Sequence, residues 1–353
     1  MRAQVARTSD PTMGADVTGG RPTRRVTAAD VAEALGVSRA TVGYVLNNTP
    51  GQTISAQTKK RVLAEAERQG YRPHRAAQTL ARGRTMVILL VLPDWPVGPV
   101  VLRNLDRSGQ ALDAAGYSLV TYVRHDGSRA RPLWESLIPD AVVSWTPLTP
   151  EERASMRAAG ITRILPGHEK ERAALDSPSA TAGARLQVEY LHALGHTRLA
   201  FAMPTDPRLA PLSMGRAAAA GQAAKKLGLE LVDTKAVDCR SGSAVGAVKD
   251  WRRAGVTGVV AFHDEIAVTI AAAAQRSGLS VPGDLSVIGH DDNPVTEMVH
   301  PTLSSVQIDI VGLSRYFSEL GRCLAEDRPL PEMMPDIHHT VVARESTAPL
   351  GRG

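Results

Sequence analysis

Two cysteines, Cys239 and Cys323, are all that this chain of 353 residues carries. That is too few for a disulfide framework or a cysteine-built metal cluster, and it fits a reducing, cytoplasmic setting. Aromatic residues make up only 4% of the chain, so the cores must be built from small aliphatic side chains. No run of about 18 apolar residues occurs, which excludes a transmembrane helix. The segment MRAQVARTSDPTMGADVTGGRPTRR lacks the apolar stretch of a secretory signal. There is no C-x-x-C, H-E-x-x-H, G-x-S-x-G or G-x-x-x-x-G-K-[ST], and no G-x-G-x-x-G follows a strand-like run. Catalytic and nucleotide-binding readings are left without a motif. His263, Asp264, His290 and Asp291 could be assembled into an acid–base or metal cluster, but locally satisfied strand-end residues explain them more simply. The expectation is a protein that is not an enzyme, with no cofactor and no metal.

What is present is unevenly distributed. Residues 1–84 hold 14 Lys/Arg against 6 Asp/Glu, a net +8, which leaves −3 for residues 85–353 of a whole-chain +5. A basic head on a slightly acidic body predicts a polyanionic partner at one end only. Hydrophobic residues amount to 43%, and the length calls for more than one folding unit.

Residues 1–25, rich in Gly, Pro, Thr and charge, are expected to form a disordered extension. The stretch VTAADVAEALGVSRATVGYVLN then reads as two short helices. Thr27 and Asp30 have capping-box spacing, Val31, Ala34 and Leu35 make an apolar face, and Gly36 stops the first helix. Ser38 caps a second helix whose inward face is Thr41, Val42, Val45 and Leu46, stopped by Asn47 and Asn48. A third helix fits Ser55 to Gln69, with Val62, Leu63 and Ala66 inward. Two helices around a Gly-containing turn, backed by a third, define a helix-turn-helix domain over 26–73. In such a unit the start of the second helix enters the major groove, which puts Arg39, Ala40 and Tyr44 at base edges. Arg39 can grip guanine O6 and N7 with two hydrogen bonds. Thr27, Ser38, Thr41, Asn47, Ser55 and Thr58 are placed for phosphate contacts, which fix register without reading sequence. A three-helix bundle for protein contacts has the same pattern and stays open at this point.

The head resembles the lactose-repressor (LacI) family of bacterial transcription regulators through Val26-Thr27-Ala28-Ala29-Asp30-Val31-Ala32, Gly36-Val37-Ser38, Ala40-Thr41-Val42, Leu46-Asn47, Ile54-Ser55, Thr58, Arg61-Val62 and Gly70-Tyr71-Arg72-Pro73. The resemblance implies DNA binding. It also implies that 74–84 is a hinge helix folding on operator DNA, with Leu80 wedged into the minor groove between Ala77, Gln78 and Ala81. Gly43-Tyr44 departs from the family's common Ser-Arg, which alters the base-reading set, and Gly43 weakens the second helix by up to about 1 kcal/mol relative to Ala.

From 85 to 347 the pattern alternates strand and helix. Apolar runs at 86–92, 117–123, 140–145, 162–166, 197–203, 256–262 and 284–290 are separated by amphipathic stretches, which predicts parallel α/β sheets in two lobes. The same family resemblance extends here through Leu191-x-x-Leu194-Gly195-His196, Phe262-His263-Asp264-Glu265-Ile266-Ala267, the run Gly278 to Asp292, Pro301 to Val306, and Val342 to Thr347. The fold it implies is an α N-terminal helix-turn-helix head plus an α/β two-lobed periplasmic-binding-protein-like core. The first lobe would be 85–176 plus about 308–336, the second the remainder, with 348–353 a tail and the core serving both effector binding and dimerisation.

Ligands bind such cores at the carboxyl ends of parallel strands. Asp291, at a strand end, is the first candidate for recognising sugar hydroxyls, or else a turn-capping residue. Asp176 plays a similar part or is a helix cap. Trp95 stacks on a sugar face or packs in the core, with Asp94 beside it. His263 stands where the family has Asn, and Arg216, five before Gly221, substitutes for the arginine of the family's Arg-x-x-Gly motif. The first lobe is short around 125–136, as if a helix had been trimmed. Together these readings predict a cytoplasmic, homodimeric transcriptional regulator, by default a repressor. It binds a pseudo-palindromic double-stranded operator and is modulated by a small molecule, a sugar in the first instance. The alternative is a carbohydrate-binding or sugar-modifying protein with a vestigial head.

Overall fold

Polar caps start all three helices of the head. In the computed structural model, which describes residues 26–47, 49, 51–71, 84–125, 127, 129–165, 178–331 and 337–351, contacts divide the chain into two compact units, 1–85 and 86–353. Helix α1 (Ala28–Leu35) opens on a capping box between Thr27 and Asp30 and closes on Gly36 at φ +64°. Ser38 caps α2 (Arg39–Leu46) by accepting the Thr41 amide, and Ser55 caps α3 (Ala56–Arg68) by accepting the Thr58 amide. Val31, Ala32, Val42, Val45, Val62 and Ala66 form the buried core. Ala32 takes the inward place expected of Ala34, which is exposed. Leu63, expected inward, is 52% exposed, one residue off the seam that Val62 and Ala66 occupy.

The second unit contains two sheets. In chain order its elements are β1 (Val87–Leu92), α4 (Pro99–Ala114), β2 (Ser118–Val123), α5 (Leu133–Leu137), β3 (Ala141–Ser144), α6 (Pro150–Ala158), β4 (Ile164–Leu165), α7 (Pro178–Ala193) and β5 (Arg198–Pro204). There follow α8 (Ala210–Lys226), β6 (Glu230–Val237), α9 (Ser243–Arg253), β7 (Gly258–Ala261), α10 (Asp264–Arg276) and β8 (Ser286–His290). Last come α11 (Val295–Met298), β9 (Ser304–Ile308), α12 (Ile310–Glu326) and β10 (His339–Val342). The first sheet, β2-β1-β3-β4, is all parallel. The second, β10-β9-β8-β7-β5-β6, is parallel except for antiparallel β10 at its edge. The central strands are buried on both faces, as continuous apolar runs require.

Between 123 and 141 a five-residue helix, α5, replaces a full crossover helix, in line with the shortened segment seen in the sequence. Helix α12 follows β9 of the second sheet, yet it packs on α4, β1 and β3 of the first. Phe317 stacks on Trp145 at 5.4 Å, and Gly321 faces Ile88. The first lobe is thus assembled from two distant stretches of chain. Among the described residues no helix is long and apolar enough to cross a membrane.

Candidate nucleic-acid interface and ligand cleft

On α2 the helical period separates two faces. Val42 and Val45 are buried, while Arg39, Ala40 and Tyr44 are exposed, Tyr44 by 40%. The base-reading candidates therefore share the outward face of one capped helix. The phosphate candidates cluster at helix starts. Thr27 Oγ1 donates to Asp30 at 2.7 Å, Ser38 Oγ lies 2.8 Å from Thr41 Oγ1, and Ser55 Oγ lies 2.9 Å from Thr58 Oγ1. Asn47 ends α2 as its C-cap. Ala77, Gln78, Leu80 and Ala81 of the expected hinge, and Asp176, lie outside the described residues.

In the second unit a cleft of about 420 Å³ opens where strands β7 and β8 end. The second lobe contributes the polar Arg216, His263, Glu265, Asp291 and Asn293 beside the apolar Leu209, Leu212 and Phe262, Ile308 lines it at the end of β9, and the first lobe contributes the segment from Trp95 to Val101. Of the candidates read from the sequence, Trp95, Arg216, His263 and Asp291 meet here. Asp94 does not line the cleft. Its carboxylate pairs with Arg208 at 3.3 Å and with His125 at 3.1 Å, and the hydrogen bond from His125, then the Arg208 charge, hold it below the usual range. Counted from Arg216, the third residue on is Ala219, so the motif is present as Arg-x-x-Ala.

Arg216 is 8% exposed; Nη1 donates to the Phe262 carbonyl at 2.7 Å, and the guanidinium lies 4.8 Å above the Phe262 ring. Burial disfavours its charge, an effect that the nearby Asp291 carboxylate partly offsets. Asp291 lies 3.9 Å from it in a left-handed conformation, φ +99°, followed by Asp292 at +47°. Such a backbone costs about 1–3 kcal/mol and persists only where its surroundings hold it. Here the Asp291 amide donates to Val306 O at 2.8 Å, the Asp292 amide to Ser305 Oγ at 3.1 Å, and Arg103 of α4 reaches the Asp291 carbonyl at 3.2 Å. Burial would raise the Asp291 carboxyl. The hydrogen bond from His290 and the charges around it outweigh burial and keep it ionised, well below the usual range.

His290 is the residue behind Asp291. Burial, then the Arg216 charge, push its imidazole down to about 4. A neutral ring that donates Nδ1–H to Asp291 Oδ1 at 2.6 Å must leave Nε2 as an acceptor. That Nε2 is buried without a hydrogen-bond partner and faces Gly183 of α7, where a Cβ would stand only 1.9 Å away. Gln187, one turn on, donates to the carbonyls of Ala261 at 2.9 Å and Gly289 at 2.7 Å, clipping together the ends of β7 and β8. His263 caps α10, its Nδ1 accepting the Ile266 amide at 3.2 Å. Burial lowers its pKa, so the ring is neutral with its proton on Nε2. Glu265 Oε2 lies 3.1 Å from Nδ1, but a proton there would cost α10 its cap.

Asp264 is fully buried beside this cluster. It accepts the Asn293 amide at 2.7 Å and the Ser305 hydroxyl at 2.6 Å, and burial pushes its carboxyl up to about 8. Gly289 makes room for it, since a Cβ there would meet Oδ1 at 2.1 Å. Gly183 and Gln187 were missed as site residues, and His290 was set aside as a locally satisfied strand-end residue. The signal for Gln187 was a polar residue at 187 on the apolar face set by Ala184, Val188 and Leu191. No group of three or more His, Cys, Asp or Glu placed to hold a metal occurs among the described residues.

A capped three-helix head with an outward α2 face, and a two-lobed body with a cleft at strand ends that gathers a few polar side chains in an apolar lining, define a two-domain DNA-binding regulator with a ligand-sensing core. Residues 27–74 match the family model "Bacterial regulatory proteins, lacI family", and residues 188–347 match "Periplasmic binding protein-like domain". The HTH-type transcriptional regulator GalR of Escherichia coli K12 is 30% identical over 336 residues, 90% of this chain and 95% of GalR. MalR of Streptomyces coelicolor is 30% identical over 300 residues, 79% and 84% of the two chains. The chain belongs to the LacI family of HTH-type transcriptional regulators. Its fold is similar to that of the lac repressor dimer bound to operator and the anti-inducer ONPF (TM-score 0.70, 22% identity, 92% of this chain and 100% of that one). It is also similar to the CelR–cellobiose complex (TM-score 0.59, 23% identity, 91% and 100% covered).

Proposed function

We propose that this regulator is a cytoplasmic homodimeric repressor that releases or tightens its hold on a pseudo-palindromic operator when a sugar enters the cleft. Two-fold symmetry requires two half-sites, one for each head. In this reading Arg39, Ala40 and Tyr44 meet base edges. Thr27, Ser38, Thr41, Asn47, Ser55 and Thr58 meet phosphates, and Leu80, flanked by Ala77, Gln78 and Ala81, opens the minor groove between them. Residues 1–25 act as an extension, 26–73 as the DNA-binding domain, 74–84 as the hinge and 85–347 as the sensing and dimerising core.

The observation that carries the sugar reading is the convergence of ionised Asp291, Arg216, neutral His263 and Asn293 on one side of the cleft. A carboxylate that accepts, a guanidinium that donates and an imidazole with a free N–H suit vicinal hydroxyls. The fold neighbour CelR, in complex with cellobiose, points the same way. Catalysis has no place in this reading.

The test is operator binding by full-length protein, measured by anisotropy on duplexes from its own genomic neighbourhood, with and without a sugar panel. Asp291→Asn should keep operator affinity and lose the sugar response. If the protein prefers no duplex over random competitor at moderate salt, the regulator reading fails; if Asp291→Asn responds like the parent, the cleft assignment fails.

A further inference from the structure

Helix α7 borders a second cavity besides serving the cleft. One face carries Gly183 and Gln187, a turn apart, which seat His290 and clip the ends of β7 and β8. Its exposed side carries Arg185 and Glu189, also a turn apart. These two line a cavity of about 530 Å³ between α7, α8 and the residues leading into β10, larger than the cleft itself. Gln222 and Lys226 of α8, with His338 and His339, complete its polar lining; alanines, leucines and Ile337 form the rest. Small-molecule sites are of this size.

Charge decides what fits. Arg185 and Lys226 come from different helices and share the cavity with one carboxylate, Glu189. Neither cation has an ion-pair partner among the described residues. An oxyanion entering here would take charge-assisted hydrogen bonds from a guanidinium and an ammonium. Glu189 and Gln222 offer acceptors to hydroxyl groups, and the apolar lining packs against a carbon skeleton. An inorganic ion would use the cations alone, whereas a hydroxylated organic anion uses all three kinds of group.

The cavity is linked to the cleft. His339 borders it, and its ring centroid lies 6.0 Å from that of His290. Its Nδ1 donates to the Ile337 carbonyl at 2.7 Å, which orients the ring. His290 donates to Asp291, whose own carbonyl accepts from Arg103 of the first lobe at 3.2 Å. A ligand that shifts α7 against α8 therefore acts on the seat of His290 and on a tie between the lobes. We infer that this cavity is a second effector site for a small hydroxylated organic anion, held by Arg185 and Lys226 and coupled to the cleft through α7 and the His339–His290 pair.

The test is titration calorimetry on the full-length protein, at constant ionic strength and without sugar, using glycerol 3-phosphate, citrate and inorganic phosphate. Glycerol 3-phosphate or citrate should bind at one molecule per chain and at least about tenfold tighter than inorganic phosphate; the tighter of the two tells a phosphate ester from a polycarboxylate. Arg185→Gln/Lys226→Gln should weaken that binding at least about tenfold, and both exposed helical positions accept Gln. Lys225→Gln, which removes a neighbouring exposed charge outside the cavity, should leave it unchanged. Saturating anion should shift operator affinity, read by anisotropy, at least about fivefold in the parent and not in Arg185→Gln/Lys226→Gln. Binding of none of the three probes, or equal binding by the double variant and the parent, overturns the site. Binding that the double variant loses, with operator affinity unmoved by the anion, overturns the coupling. Neither measurement uses a sugar, so this site and the sugar reading of the cleft fail separately.

Discussion

Replacing Gly183 by Ala sets two opposing effects against each other. Gly183 lies within α7, where helix propensity alone favours Ala by up to about 1 kcal/mol. Against this, the added Cβ would lie 1.9 Å from His290 Nε2 and 2.5 Å from its Cδ2. The ring is 1% exposed, so it has no open space to retreat into. Overpacking of this kind costs about 1–3 kcal/mol. Turning the ring aside also breaks its charge-assisted hydrogen bond to Asp291, worth about 1.5–3 kcal/mol. The clash and the lost bond outweigh propensity, for a net loss of about 2–4 kcal/mol. At roughly 2 °C per kcal/mol for a domain of this size, melting should fall by about 4–8 °C. Gly246, inside α9, has nothing within 4 Å of its would-be Cβ. Gly246→Ala is therefore the matched control and should be neutral or slightly stabilising. Scanning calorimetry reads both, and calorimetric titration of the cleft ligand reads the displacement of Asp291 separately. If Gly183→Ala melts at or above the parent and binds ligand as well, the argument that this glycine seats His290 behind Asp291 is wrong.

Other outcomes follow from the same geometry. Gly43→Ala, also with open space at its Cβ, should stabilise the head by up to about 1 kcal/mol, visible in the melting of a 1–85 fragment or by hydrogen exchange in the whole chain. Arg39→Ala should relax base preference at one operator position by about 1–3 kcal/mol, and an unchanged binding-site profile would mean that it touches phosphate only. Leu80→Ala should weaken operator binding far more than non-specific binding; equal losses would remove the wedge. Asp264 keeps its proton in the fold up to about pH 8, whereas the unfolded chain loses it near its ordinary value of 3.8. Its contribution is therefore fully present below the unfolded value, declines by up to about 1.4 kcal/mol per pH unit as pH rises between the two, and levels off above 8. Asp264→Asn should flatten that slope in denaturant titrations, and a slope identical to the parent's would show that the carboxyl is ionised in the fold.

Local order was legible where local physics decides it. The capping residues Thr27, Ser38 and Ser55 mark the three head helices because side-chain caps act within three residues. The runs at 86–92 and 284–290 mark β1 and β8 because buried parallel strands are apolar throughout. Strand β6 was passed over because ELVDTKAV lies at a sheet edge and alternates in exposure, and β10 for the same edge reason. Helix α12 has a pronounced apolar face but fell within the stretch of about 308–336 that was assigned to the first lobe without a helix being read in it. In the cleft, Asp291 and Arg216 were reachable through the family motifs. The seating of His290 on Gly183, the Gln187 clip and the apolar first-lobe wall depend on pairings across about a hundred residues, which no local spacing reports. Asp94 failed to reach the cleft because Arg208, also far away in the chain, competes for it.

The placement of α12 has a consequence for how the protein comes into being. A ribosome that has delivered three hundred residues has released a head able to close its core, and most of the second lobe. The first lobe at that moment still lacks the cover for Ile88 and Trp145, because Phe317 and Gly321 have yet to emerge. A nascent or prematurely stopped chain therefore carries a DNA-reading head on a body with an open apolar flank. Such a product would be disposed to bind DNA, cling to chaperones and ignore ligand, so errors late in synthesis should interfere with the intact regulator.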